Sequence, residues 1–315
     1  MHEALDQRAQ GIDHQETVAW IRANYATVPG WVQDLDAWEV ERETCIALFR
    51  GYCWRWQNEQ IQYRQSEFAF SLPIINPQTG KPSRNFRKGG KIDKDVYADG
   101  RGGIGEHKTT SDDIAPDSDY WQRLRLDQQV SHYYLAAREI GVDVQTVLYD
   151  VIRKPNIEPL TIPILDGEGM KIVHDADGNR VFLKNGKPRQ AGNKKEGWTL
   201  LSKKQSPAEF GERVLKDCYN RPDWYFARRE IPRLESDIHE YEYELWQIQK
   251  VIALCKKNHW WYKNTNACLK PYKCPYLSCC TNGQYPLTEV PQGFVRLENI
   301  HPELGDTNGN CTATA

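Results

Sequence analysis

The chain has 315 residues, of which 39% are hydrophobic, and its formal net charge at pH 7 is -2. This size and composition indicate a globular protein with one large domain or two smaller ones. They exclude an overall basic surface, so any nucleic-acid binding must come from local patches. The sequence contains no run of about 18 apolar residues, and the N-terminus MHEALDQRAQ lacks the order of a signal peptide. We therefore predict a cytoplasmic protein that does not enter a membrane.

The first half of the chain predicts helices and then strands. Residues 1–65 are helical by their apolar spacing of three and four. SEFAFSLPI, residues 66–74, alternates as a strand, and NPQTGKPSRNFRKGG after it is a turn-rich loop. KIDKDVYADGRGGIGEHKTT predicts two strands around Asp99-Gly100, a strong hairpin signal. An amphipathic helix ending at Gly141 follows, and then a central strand over residues 144–154.

The second half becomes polar after Pro155. DADGNRVFLKNGKPRQ suggests a β-hairpin in an inserted arm, and long helices resume at SPAEFGERVLKDC and RLESDIHEYEYELWQIQKVIALCKK. No internal repeat is visible. We predict an α/β fold with a mixed central sheet flanked by helices. The predicted segments are a core, a polar β-hairpin insertion, a helical C-terminal part with a cysteine cluster that completes the core domain, and an irregular tail, over residues 1–155, 156–206, 207–300 and 301–315.

The segment GRGGIGEHKTTSDD, residues 100–113, is not a phosphate-binding loop, because Glu106 and His107 separate Gly105 from Lys108. A two-residue turn at Asp99-Gly100 pairs residues whose numbers sum to 199 and sets Asp93 opposite Glu106. Their Cβ atoms would lie roughly 4.5 to 5.5 Å apart. Glu106 and Lys108 would share one face of the strand, with His107 on the other.

Two neighbouring carboxylates repel each other unless a cation neutralises them, and oxygen ligands suit Mg²⁺ or Mn²⁺. A divalent ion held there can polarise a phosphodiester and generate a hydroxide nucleophile. Lys108 could then stabilise the developing charge. The alternative is a salt-bridge cluster on a solvated face. The carboxylates and the lysine alone do not decide between these two interpretations.

The motifs resemble those of the PD-(D/E)XK nuclease superfamily and in particular its RecB-like phage and prophage exonuclease branch. GKID followed by GEHK is similar to the core motif, and Gln129 to Tyr133 supply Q-x-x-x-Y on the next helix. The resemblance covers most of the chain and includes the segments YDVIRKP and NTNACLKPYKCPYL. It implies a restriction-endonuclease-like core, metal ligation by Asp93 and Glu106, catalysis by Lys108, and participation of Gln129 and Tyr133.

Two further ligands are implied by the same resemblance. Glu67 matches an acidic position that some members add to the site, although a glutamate at a strand start can equally be a surface residue. His2 falls at the histidine of an early G-x-x-x-H motif whose glycine is absent, which implies that the chain begins inside its first helix. A histidine this close to a chain start is ordinarily disordered.

Nine cysteines without a secretory signal favour thiols or metal ligands over disulfides. Cys268, Cys274 and Cys280 are evenly spaced, and some RecB-like nucleases hold a 4Fe-4S cluster with three C-terminal cysteines and one N-terminal cysteine. The spacing here departs from that of those relatives, and the fourth ligand is unidentified, with Cys45 and Cys53 as candidates. Zinc held with His259 and reduced thiols are the alternatives.

The resulting prediction is a metal-dependent DNA exonuclease that hydrolyses phosphodiester bonds in phage or prophage recombination or DNA processing. We expect it in a bacterial or phage-infected cell, with a possible recombination partner protein. Basic residues near the motifs are the candidate DNA contacts: Arg84, Arg87, Lys88 and Lys154. The segment 184–195 is a further candidate. A non-catalytic DNA-binding or assembly protein and a site-specific endonuclease remain the alternatives.

Overall fold

The computed structural model describes residues 1–270, 272–282, 289–297, 301 and 304. The first 55 residues form helices, as the apolar spacing predicts: α1 (His2–Ala9), α2 (His14–Ala26) and α3 (Leu35–Arg55). Asp13 and Asp34 begin α2 and α3, since each carboxylate accepts a hydrogen bond from a backbone N–H of the first turn. The helical region was predicted to extend to residue 65, but α3 ends at Arg55, about ten residues earlier, and β1 begins at Gln62.

Three long strands follow: β1 (Gln62–Ile75), β2 (Pro82–Ala98) and β3 (Arg101–Thr110). The predicted strand at residues 66–74 and the predicted hairpin are confirmed. The predicted loop over residues 76–90 is wrong beyond Lys81, where β2 begins. Hydrophobic alternation does not reveal the start of this strand, because glycines and basic residues interrupt the pattern. One of those glycines is required by packing, because a Cβ on Gly90 would lie 2.9 Å from the rings of Phe70 and Tyr133.

The next region contains two helices where the sequence predicts one, and then a strand: α4 (Asp119–Leu124), α5 (Gln128–Glu139) and β4 (Thr146–Arg153). The break falls at Asp127, whose carboxylate accepts the Gln129 N–H at 2.8 Å and so begins α5. Gly141 lies just after α5 with φ of +85°, so it ends the helix as predicted.

Residues 156–206, which we call the arm, hold four short strands: β5 (Thr161–Pro163), β6 (Val173–His174), β7 (Thr199–Leu200) and β8 (Ser202–Lys204). β5 pairs with β8 and β6 pairs with β7, both antiparallel. Between these strands the chain makes several tight turns, so the arm is more elaborate than the predicted single hairpin.

The chain continues as α6 (Pro207–Asn220), α7 (Pro222–Tyr225), β9 (Phe226–Glu230), α8 (Glu235–Asn258) and α9 (Leu277–Thr281). The long helices α6 and α8 are confirmed. β9 was not predicted from PDWYFARRE, because its central arginines hide the alternation of a strand. It pairs antiparallel with β4, with Ile152 opposite Phe226.

Five of the strands form one mixed sheet in the order β1-β2-β3-β4-β9. The chain divides into two compact units, which cut across the segments predicted from sequence. The first comprises residues 1–66, 93–126 and 147–231, and the second comprises residues 67–92 and 127–146 together with the chain from Pro232 onward. The arm thus belongs to the first unit. Of the predicted tail, only His301 and Leu304 are among the described residues.

Each unit has its own packing. In the first, α3 and α6 approach closely: a Cβ on Gly51 would lie 2.9 Å from the Cβ of Cys218, and one on Gly211 would lie 2.9 Å from that of Glu43. In the second, α5 packs on α8, with His132 Nδ1 2.7 Å from the Tyr241 hydroxyl. No helix in the described part of the chain combines the length and the apolar character that crossing a bilayer requires.

Candidate active site

The β2–β3 hairpin carries the Asp…Glu-x-Lys motif in the predicted register. Asp99 and Gly100 both have positive φ, +52° and +78°, as a type I′ turn requires. The pairs run from Ala98 opposite Arg101 to Lys94 opposite Gly105, and each pair of numbers sums to 199. Continuing this register by one residue sets Asp93 opposite Glu106. The turn chemistry therefore fixes which carboxylates become neighbours.

Side-chain contacts connect the three motif residues within the first unit. The Asp93 carboxylate accepts the backbone N–H of His107 at 2.9 Å, which ties Asp93 to the residue following Glu106. The ammonium group of Lys108 forms an ion pair with Glu106 Oε1. The structure thus brings Asp93, Glu106 and Lys108 together, as the sequence predicts.

The environment of this cluster is partly open. The Glu106 side chain is 5% exposed and that of Lys108 is 30% exposed. Asp93 is half-buried. Two carboxylates and one ammonium group leave a net negative charge beside solvent, which is an electrostatic setting that favours a bound cation.

The opposite face of the same hairpin holds polar residues that the sequence analysis did not single out. Lys94 is buried, and its ammonium group lies 2.5 Å from the Asp6 carboxylate on α1. His107 is also buried, with Nδ1 3.6 Å from Asp150 Oδ2 on β4. Period-two alternation would have placed Lys94 and His107 on the inner face, since Ile92 and Val96 lie there, but a buried lysine is rare enough to be overlooked.

Asp150 is the centre of this buried cluster. Its Oδ2 accepts hydrogen bonds from the Tyr52 hydroxyl at 2.5 Å and from Arg228 Nε at 2.7 Å. Arg228 also donates to the Tyr52 oxygen at 2.7 Å and forms an ion pair with Glu59. These contacts join α3, β4 and β9, and they explain why β9 carries an arginine at this position.

Burial controls the protonation of the cluster. It lowers the pKa of His107 from 6.5 to about 4 and outweighs the neighbouring carboxylates of Asp150 and Asp93, which act to raise it. Burial likewise raises the pKa of Tyr52, with the charge of Asp150 adding to the effect. Burial alone would lower the pKa of Arg228, yet Asp150, Tyr52 and Glu59 raise it overall. At neutral pH the cluster therefore contains a neutral imidazole and an ionised guanidinium.

Gln129 and Tyr133 lie on α5 in the second unit. Gln129 Nε2 donates to the Tyr133 hydroxyl at 3.1 Å, so the two side chains share a helix face as predicted. The Tyr133 ring packs edge-on against Phe70, with centroids 6.0 Å apart. This packing and the hydrogen bond fix the orientation of both side chains.

The two additional ligand candidates have different settings. Glu67, in the second unit, has φ of +53° and forms an ion pair with Lys91. A left-handed backbone at a residue other than glycine costs about 1 kcal/mol or more. His2, in the first unit, is exposed at the first residue of α1. Among the described residues, no group of three or more histidine, cysteine, aspartate or glutamate side chains is arranged around a common point as metal ligands would be.

The candidate DNA contacts differ in accessibility. Arg84 and Lys154 are exposed. Arg87 is held by Ser71, whose hydroxyl accepts from its Nε at 2.9 Å. Lys88 needs a correction: its side chain is 2% exposed and its ammonium group lies 2.5 Å from Glu139, so it does not present a charge to DNA. The prediction failed because residues 76–90 were interpreted as a loop, so the alternation of β2 that buries Lys88 was not recognised.

The C-terminal cysteines lie in irregular chain and in α9. Cys268 and Cys274 are connected by a backbone hydrogen bond, since the Cys274 N–H donates to the Cys268 carbonyl at 2.9 Å. Cys279 is buried, and Cys280 is half-buried. Cys45 and Cys53 lie on α3, where burial raises the pKa of the Cys53 thiol to about 11. Such a shift favours the protonated thiol over a thiolate ligand at Cys53.

Comparison with known proteins adds no relative. No family model matches the chain, and no curated protein is significantly similar to it. The functional interpretation of the site therefore rests on the residues and their geometry.

Proposed function

We propose that this chain is a divalent-metal-dependent deoxyribonuclease of the PD-(D/E)XK type, and specifically an exonuclease of the RecB-like branch. The observation that supports this most is the cluster of Asp93, Glu106 and Lys108 on one face of a hairpin whose register is set by Asp99-Gly100. An accidental salt-bridge cluster does not require this spacing, whereas the nuclease motif does.

The donor set at this cluster fits a magnesium or manganese ion. Mg²⁺ is commonly bound through one or two carboxylates, with water and substrate phosphate completing its coordination. Asp93 and Glu106 supply two carboxylates, and the single ammonium group of Lys108 leaves a net negative charge. A bound ion would supply Lewis-acid polarisation of the scissile phosphate and a nucleophilic hydroxide.

The protein's own groups have separate roles in this proposal. The His107 N–H orients the Asp93 carboxylate by a hydrogen bond at 2.9 Å. Glu106 holds Lys108 by the ion pair, which places a positive charge beside the carboxylates. That charge would stabilise the additional negative charge that develops on the phosphoryl oxygens as water attacks phosphorus and the P–O bond to the leaving sugar breaks. Gln129 and Tyr133 would orient the substrate.

The test is hydrolysis of linear and circular DNA with Mg²⁺, with Mn²⁺ and with EDTA. We expect metal-dependent degradation of linear DNA that Asp93→Asn and Lys108→Ala abolish. Asp95→Asn is the matched control, because Asp95 lies two residues along the same face of β2 and accepts hydrogen bonds from Arg64. Its activity should equal that of the wild type.

Three results would decide against the proposal or restrict it. Tight DNA binding without metal-dependent cleavage would favour a non-catalytic binding protein. Cleavage that survives Lys108→Ala would place the chemistry elsewhere. Discrete fragments from a circular plasmid would favour a site-specific endonuclease over an exonuclease.

A further inference from the structure

The arm contains a repeated turn that the sequence pattern does not reveal. Three turns have the same backbone hydrogen bonds, closed by Asp166 N–H to the Met170 carbonyl, Asp175 N–H to the Asn179 carbonyl and Leu183 N–H to the Lys187 carbonyl. Each carries a glycine with positive φ at its fourth position: Gly169, Gly178 and Gly186. The spacing changes from nine residues to eight, which obscures the repeat in the sequence.

A fourth turn follows between Asn193 and Trp198, which pair with each other. Gly197 has φ of +72° in this turn, and the Asn193 side chain accepts the Lys195 N–H at 3.1 Å. The arm therefore contains three turns of one type and a fourth, longer turn, and the charges of the four turns can be compared along the chain.

The charge changes sign along this series. The first two turns each contain two acidic residues: Asp166 and Glu168, then Asp175 and Asp177. In the third, Leu183 and Asn185 stand at the equivalent positions, and Lys184 and Lys187 are added. The fourth carries Lys194 and Lys195. Residues 182–204, which we call the basic segment, hold seven lysines and arginines and one acidic residue, in a chain of net charge -2.

Carboxylates of the acidic turns form hydrogen bonds and an ion pair within the arm, whereas the lysines of the basic turns form no ion pair with a described residue. Asp166 accepts two backbone N–H groups of its own turn and forms an ion pair with Arg180. Asp175 accepts the N–H groups of Asp177 and Asn179. The lysines of the third and fourth turns are exposed, and none of them forms an ion pair with a residue that the structure describes.

We propose that the basic segment binds the phosphodiester backbone of nucleic acid. Turns closed by backbone hydrogen bonds that present four exposed ammonium groups, Lys184, Lys187, Lys194 and Lys195, suit a polyanion such as the phosphodiester backbone. This inference builds on the proposed nuclease function, because it assigns the surface that holds the DNA substrate. Phosphate contacts of this kind carry no sequence information, which suits an enzyme that degrades DNA of any sequence.

Counterion release predicts how this binding responds to salt. Each phosphate neutralised on duplex DNA contributes about -0.9 to the slope of log K against log salt, and on single strands about -0.7. Replacing the four lysines should therefore reduce the magnitude of the slope by about 3.6 on duplex DNA and by about 2.8 on single strands, and weaken binding on the order of 10-fold or more near 0.1 M salt.

The experiment measures binding of fluorescent duplex and single-stranded 30-mers in EDTA, so that cleavage does not interfere. The test variant carries Lys184→Gln, Lys187→Gln, Lys194→Gln and Lys195→Gln. The matched control carries the same four-charge change at exposed lysines outside the arm, Lys81, Lys216, Lys257 and Lys270. We expect the test variant to lose affinity and salt slope, and the control to bind within about threefold of wild type.

The outcomes separate this inference from the proposed function. An equal loss of DNA affinity in both quadruple variants would show that net charge alone causes the effect, and would overturn the inference. Unchanged DNA binding by the test variant would overturn it as well. Metal-dependent hydrolysis of bis(p-nitrophenyl) phosphate, which has a single phosphate and no phosphodiester chain for the basic segment to hold, reports on Asp93 and Lys108 independently. A protein that binds DNA through these lysines but hydrolyses neither substrate would retain the inference and reject the nuclease.

Discussion

The two faces of the β2–β3 hairpin carry charged groups in opposite settings. On one face, which we call the open face, Asp93, Glu106 and Lys108 adjoin one another; the Glu106 side chain is 5% exposed, but that of its partner Lys108 is 30% exposed and Asp93 is half-buried. On the other, Lys94 is 1% exposed and His107 is 7% exposed by their side chains, in contact with groups from α1, α3 and β4. Residues one position apart in a strand point to opposite faces, so the two groups are interleaved in the sequence.

Under the proposed function, this difference separates chemistry from stability. A charge whose partner is partly exposed can be replaced at small cost, because water solvates the partner that remains. A buried charge that loses its partner has no such compensation. Substitutions on the open face should therefore change activity and leave folding intact, and substitutions on the buried face should change folding first.

The largest effect is expected at the buried Lys94–Asp6 pair. Asp6→Ala leaves the Lys94 ammonium group buried without its partner at 2.5 Å, and the free energy of unfolding should fall by roughly 3 to 5 kcal/mol. Urea unfolding followed by circular dichroism measures this. The double variant Asp6→Leu/Lys94→Met, which removes both charges, should recover most of the loss, and a double variant less stable than Asp6→Ala would show that the pair is not the cause.

On the open face, Glu106→Gln should leave stability within about 1 kcal/mol of wild type, because Lys108 can be solvated when its ion pair is lost. If the proposed function holds, metal-dependent DNA hydrolysis should fall on the order of 100-fold to 1000-fold, the range for loss of one electrostatic group at a reaction centre. Initial rates and urea midpoints are measured on the same preparation. Loss of stability in parallel with activity would contradict the separation of the two faces.

His107 should make stability depend on pH. Its pKa is about 4 in the folded protein and near 6.5 when unfolded, so between these values the unfolded chain binds more protons. Stability therefore decreases as pH falls from about 6.5 towards 4, by up to roughly 3 kcal/mol, and is insensitive to this group above that range.

The check is urea unfolding from pH 7.5 to 4.5 for wild type and His107→Gln. The variant should show a shallower decline, while His14→Gln, at an exposed position on α2, should follow wild type. Identical slopes in wild type and His107→Gln would assign the acid sensitivity to carboxylates instead.

Much of the open face could be predicted from sequence, because its geometry is local. Asp-Gly specifies a type I′ turn, the turn fixes the register, and the register sets Asp93 beside Glu106. The same locality explains why Gln129 and Tyr133, four residues apart, were correctly placed on one helix face.

The buried face could not be predicted, because its partners are distant in the chain. Lys94 meets Asp6 across 88 positions, and Asp150 meets Tyr52 across 98. Alternation with Ile92 and Val96 points Lys94 inward but does not identify the carboxylate that makes its burial tolerable, and an arginine within PDWYFARRE suggests a surface. The position of Arg228 opposite Asp150 becomes apparent only once β4 and β9 are paired.

The smallest expected effect is at Gly100, and it tests how far the turn controls the pairing register of β2 and β3. Gly100 has φ of +78°, and a Cβ added there would meet no atom within 4 Å beyond its chain neighbours, so Gly100→Ala introduces backbone strain without a clash and should cost about 1 kcal/mol. Gly30→Ala is the matched control, since Gly30 has open space and lacks a positive φ, and it should be neutral within about 0.5 kcal/mol. Because the strain acts on the turn and the pairs beyond it remain, DNA hydrolysis by Gly100→Ala should stay within about threefold of wild type. A much larger loss of activity at unchanged stability would mean that the turn positions Asp93 and Glu106 more tightly than the long strand pairing does.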